Sequence, residues 1–139
     1  MPHVNIQYSA NLEPDAAIDA LCKTLVEVIG AQRDAAGQRV FPIGGTRVMA
    51  YPATHFAVAD GGADRAFVYF QVRIAPGRER ALVTATGEAM MSAVRAHFAS
   101  LFASRAIGIT LQIDEGPEVF DAKNSSLHPL FQPKAKARV

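Results

Sequence analysis

The chain has 139 residues, half of them hydrophobic and 19% charged, with a formal net charge of +1. That length suits one domain with a substantial core and leaves no room for a second, and the composition is ordinary for a soluble globular protein. The near-zero charge excludes a general attraction for nucleic acid or anionic membranes, while neither a secretory leader nor an apolar run of about eighteen residues is visible, so a cytoplasmic location is the default.

The chain opens Met1-Pro2. A small penultimate residue lets aminopeptidase remove the methionine, and the processed chain would then begin with a secondary amine. His3 to Tyr8 alternates polar and apolar with the period of a half-buried strand, so Pro2 starts a strand. Asn11 and Pro14 suit a turn and a helix start, and Ile18, Leu21, Cys22, Leu25 and Ile29 recur at helical spacing. Phe41-Pro42-Ile43-Gly44-Gly45 reads as a connector before a short strand from Thr46 to Tyr51, which completes one β-α-β unit over residues 1–52.

After a turn at Asp60 to Asp64, Ala66 to Ile74 alternates again, with both faces expected to be largely covered. Ala75-Pro76-Gly77 ends this strand. A proline-free segment from Glu79 to Ser104 carries an apolar stripe of Val83, Met90, Val94, Phe98, Leu101 and Phe102, and Ile107 to Asp114 alternates as a final strand. The second unit therefore spans 65–115. Two such units predict an α+β fold, a four-stranded mixed sheet with both helices on one face, because each right-handed crossover places its helix on the same side. The opposite face is expected to be apolar and bare, which calls for self-association. Residues 116–139 are expected to form a C-terminal clasp, through Phe120, Leu127, Leu130 and Phe131, as a short strand or on a neighbouring subunit, with a frayed end from Lys134 to Arg138.

The candidate catalytic residues are Pro2, Arg47 and Arg78. A free α-amino group titrates near 7.7–8.0, and burial beside cations lowers that value toward working pH, leaving a neutral amine able to accept a proton from carbon. Arg47 and Arg78 each lie where a strand meets a connector, and an arginine there offers a fixed fork of donors for a carboxylate. The alternative for each is a solvated surface side chain. A retained Met1 would block the amine as an amide.

The opening Pro2-His3, the run Phe41 to Arg47, Ala59-Asp60-Gly61, Ala66-Phe67-Val68, Ile74 to Arg78, Ala96-His97-Phe98, Ser104-Arg105 and the ending Asn124 to Phe131 together resemble the 5-carboxymethyl-2-hydroxymuconate isomerases of the tautomerase superfamily. The resemblance runs over most of the chain. It implies repeated β-α-β units assembled as a homotrimer, no metal and no cofactor, Pro2 as the proton shuttle and Arg47 and Arg78 as the binders of carboxylate and keto groups. The substrate it implies is an unsaturated 2-hydroxy dicarboxylate from aromatic-ring degradation such as 5-carboxymethyl-2-hydroxymuconate. Met49 stands where some members carry a second basic residue, and Tyr51 and Phe56 replace an aromatic pair, so the reaction type is read more firmly than the substrate.

The single cysteine, Cys22, falls on an apolar helix face and reads as core packing. His3, His55, His97 and His128 lack metal-ligand spacing, and His97 reads as a hydrogen-bonded core or interface residue. The Gly44-Gly45 and Gly61-Gly62 pairs read as turns. Two rival functions stay open: a related tautomerase or dehalogenase on another unsaturated acid, and a non-catalytic oligomeric binding module.

Overall fold

The computed structural model describes residues 1–133 of the chain. Strand β1 (His3–Ser9) is followed by helix α1 (Ile18–Gly30) and strand β2 (Arg47–Ala53), and strand β3 (Ala66–Ile74) by helix α2 (Arg80–Ser104) and strand β4 (Ile107–Glu115). The sheet order is β2-β1-β3-β4. β1 pairs with β2 in parallel and with β3 antiparallel, and β3 pairs with β4 in parallel. Each unit is thus a parallel crossover, and the two units join through the central β1–β3 pair. Strand β2 starts and ends slightly later than the sequence pattern predicts, because residues 43–45 tighten into a 3₁₀ turn ahead of it.

Alternation along β1 and β3 turns Val4, Ile6 and Tyr8, with Val68, Phe70 and Val72, toward the helices. Leu21, Leu25 and Ile29 of α1 and Met90, Val94 and Phe98 of α2 close over them in one apolar cluster. Phe98 is fully buried, and truncating such a side chain to alanine costs about 3–5 kcal/mol. Phe102, expected on this stripe, is 58% exposed: it lies in the last turn of the helix and lines an open concavity with Phe98 and the start of β4 instead of closing on the core. No described helix is long and apolar enough to cross a membrane.

The helix-free face corrects a second expectation. It carries His3, Asn5 and Gln7 from β1, Arg73, Gln71 and Tyr69 from β3, and Asp114, Gln112 and Thr110 from β4, in cross-strand register. This surface is mostly polar, and β3 is covered on one face only. The aromatic side chains of Phe67 and Tyr69 gave the strand an apolar look that its neighbours do not share.

Among the described residues beyond β4 there is no strand, and His128–Phe131 forms a 3₁₀ turn packed on residues 43–45 of its own chain. Gly44 permits this approach, since a Cβ there would lie 2.9 Å from the His128 Cα. The expected frayed end, Lys134 to Arg138, lies outside the described residues.

Candidate active site

The amino terminus, the start of β2 and the ends of β3 and β4 meet at one edge of the sheet. Pro2 is buried there, and its carbonyl accepts a hydrogen bond from the Arg47 N–H at 3.0 Å. Met1 precedes it, so the Pro2 nitrogen is an amide in this form. The Met1 side chain lies against Gly45, where a Cβ would come within 2.6 Å of its Cγ. Burial holds the terminal amine below its ordinary value; the positive charges of Arg78 and then Lys123 add to this, and Asp121 and Glu118 oppose it.

Arg78 reaches this position because Gly77, at φ +108°, turns the chain sharply after β3, three residues before α2 begins. Its guanidinium stacks 4.6 Å above the centroid of the buried Phe41 ring and donates to the Ala75 carbonyl at 3.0 Å. Glu79 is the N-cap of α2 and makes no side-chain capping bond there. The Arg47 guanidinium donates to the Gly44 carbonyl at 3.2 Å. Arg78 thus acts on the terminal amine and Arg47 on the neighbouring His3.

His3 stands between Arg47 on β2 and Arg73 on β3 in a cross-strand row. Its Nε2 is buried with no hydrogen-bond partner among the described residues. Burial lowers its pKa, and Arg47, the terminal amine and Arg73 push the same way, so the imidazole is held neutral between cations. A cavity of about 320 Å³ opens beside it, lined by Met1, His3, Arg73, Glu118, Asp121 and Lys123 together with residues 74–75. Arg47 and Arg78 do not line that cavity. Larger concavities of about 580 and 760 Å³ run between α2 and β4, but most of their walls are uncharged, and Arg95 and Glu88 are their charged side chains. They suit contact with another chain better than proton transfer.

The sequence pattern thus places Pro2, Arg47 and Arg78 at one edge, and the structure adds His3, Arg73, Lys123 and Phe41 around them. His3 and Arg73 were visible as members of alternating strands, but only the antiparallel register sets them side by side. Lys123 has no periodic context to mark it. Elsewhere the side chains behave structurally. His97 Nε2 lies 2.6 Å from the Ala16 carbonyl, and burial raises the pKa of the half-buried Cys22 thiol, which packs on the core. Met49 and Tyr51 are exposed on β2 with the Tyr51 hydroxyl 3.5 Å from the Met49 sulfur, and Phe56 is exposed beyond the strand.

The family model of 5-carboxymethyl-2-hydroxymuconate isomerase matches residues 2–131. The chain belongs to the 5-carboxymethyl-2-hydroxymuconate isomerase family. It is 26% identical over 132 residues to the Escherichia coli 5-carboxymethyl-2-hydroxymuconate Delta-isomerase, covering 95% of this chain and all of that one. A crystal structure of a 5-carboxymethyl-2-hydroxymuconate delta-isomerase superposes with a TM-score of 0.92 at 45% identity, covering 98% of this chain and 96% of that one. A family member from Deinococcus radiodurans R1 superposes with a TM-score of 0.84 at 31% identity, with 95% of each chain covered. A fused 4-OT wild-type symmetric trimer shares the fold, at a TM-score of 0.59 and 22% identity over 92% of this chain and 96% of that one. The chain is an isomerase with the tautomerase fold.

Proposed function

We propose that this isomerase moves a proton on an unsaturated 2-hydroxy acid such as 5-carboxymethyl-2-hydroxymuconate, without a cofactor, using the amine of a processed Pro2 as general acid and base. The observation that carries this reading is the buried start of β1, where the chain's first amine lies under the field of Arg78. Removal of Met1 would expose the secondary amine of Pro2 and clear the space that the methionine side chain fills against Gly45.

Burial and nearby positive charge favour the neutral amine at working pH. It accepts the enol O–H proton, the electron pair delocalises over the dienolate, and the ammonium returns the proton to a distal carbon, so the enol becomes a ketone and the remaining carbon–carbon double bond shifts. Arg47 and Arg78 hold the carboxylate and keto oxygens where negative charge develops, which is general acid-base catalysis with electrostatic stabilisation. The neutral His3 keeps Arg47 and Arg73 apart without adding a third charge between them.

A homotrimer is part of the proposal. It is supported by the fold shared with the 4-OT symmetric trimer and by β4, which lies at the sheet edge with one side unpaired. A cytoplasmic role in aromatic-compound degradation follows from the same reading. The test is ultraviolet loss of the dienol: wild-type protein beginning at Pro2 should catalyse it, and Pro2→Ala should fold normally yet lose most turnover. Equal turnover by the two proteins would overturn Pro2 as the acid and base, and no turnover by either would leave the binding-module alternative.

A further inference from the structure

The substrate proposed above bears three carboxylates by its own chemistry, two from the muconate chain and one on the carboxymethyl arm. In the reading above Arg47 and Arg78 hold a carboxylate and the keto oxygen at the reacting end, so the carboxymethyl arm at the far end of the diene needs a partner of its own. We propose that Arg73 and Lys123, at the cavity beside the amino terminus, form a further anion subsite that takes the carboxymethyl carboxylate; the proposal rests on the functional reading just given.

The cavity of about 320 Å³ is large enough for a carboxylate arm, and Arg73, Lys123 and His3 all contribute to its wall. Arg73 is held in place on both sides. It sits in register with His3 on β1 and Asp114 on β4, and its guanidinium lies so close to Gly116 that a Cβ there would come within 2.7 Å of its Cζ. Lys123 comes from a segment without helix or strand, yet that segment is tied at both ends: the Gly116 N–H donates to the Ile74 carbonyl at 3.4 Å, and His128 packs on Gly44.

Both cations have donors to spare. Glu118 approaches Arg73 only to 3.7 Å, and Lys123 pairs with Asp121, two residues away on the same exposed segment. Such exposed pairs hold weakly, and a guanidinium offers five N–H groups and an ammonium three. An arriving carboxylate would therefore compete with Asp121 and Glu118 for the same side chains. Met1 lines the same cavity as Arg73 and Lys123, so the subsite opens beside the residue that precedes Pro2.

The test compares kcat/KM on 5-carboxymethyl-2-hydroxymuconate and on the same dienol diacid lacking the carboxymethyl arm. Arg73→Met and Lys123→Met should each lose about tenfold on the three-carboxylate compound, carried by KM, and less than about twofold on the two-carboxylate one. Lys123→Arg should retain the preference, and Asp121→Asn should lower KM for the three-carboxylate compound by removing the competitor. Equal losses on both compounds, or none on either, would overturn the subsite while leaving the proton-transfer reading intact. A wild-type protein beginning at Pro2 that turned over neither compound would overturn that reading and the subsite with it.

Discussion

His3 and Ser9 lie at opposite ends of β1 on the same face of the sheet, and they are treated in opposite ways. Ser9 is fully buried, and its Oγ accepts the Phe67 N–H at 3.0 Å. Around it Asn11 donates to the Arg65 carbonyl at 2.8 Å, Arg105 donates to the Asn11 carbonyl at 2.9 Å, and Arg65 grips Asp60 through two nitrogens. Asn11 Oδ1 is the one buried side-chain atom left unpaired there among the described residues. At the other end His3 Nε2 has no partner among the described residues, two arginines flank it, and Arg78 uses its guanidinium on a ring face and one carbonyl. The Ser9 end spends its polar groups on holding the fold, whereas the His3 end keeps cations and an amine available to a ligand.

The contrast breaks most sharply at Pro2. Pro2→Ala should lower kcat by about 10²–10⁴-fold, the usual contribution of a general acid or base, with an unchanged circular dichroism spectrum. Arg47→Ala and Arg78→Ala should each lower kcat/KM by about 10²-fold in steady-state assays, as expected for donors aimed at developing charge. At the opposite end, Ser9→Ala should leave kcat unchanged and lose about 1–3 kcal/mol in urea unfolding, because the Phe67 N–H would lose its partner.

The smallest effect concerns pH. Because the fold depresses the pKa of His3 below 6.5, the unfolded chain binds the proton first, and stability falls as pH drops through that value toward the folded one. His3→Gln should flatten this acid limb, read from urea midpoints between pH 7.5 and 5.5. An unchanged slope would mean that other groups carry it.

Much of this layout is legible in the sequence because strand and helix periods are local. Val4, Ile6 and Tyr8 alternate within six residues, and Leu21, Leu25 and Ile29 repeat within nine, so both units can be read without knowing what they touch. Pro2, Arg47 and Arg78 are likewise marked by their places at element boundaries. What stays hidden depends on register between distant segments. The polar character of the bare face emerges only when His3, Arg73 and Asp114 line up across three strands. Phe102 continues the helical stripe four residues after Phe98, and only the open concavity between α2 and β4 shows that it is exposed. The tail carries no period at all, and its path back onto Gly44 is set by a close backbone approach that no spacing rule encodes.

The most direct measurement compares two preparations of the same protein, one starting at Pro2 and one still bearing Met1, each confirmed by intact mass and assayed for loss of the dienol at equal concentration. Turnover confined to the shorter form, with kcat/KM rising through a pKa below that of an ordinary chain-terminal amine, is the predicted result. Equal turnover by the methionine-bearing form would contradict the account.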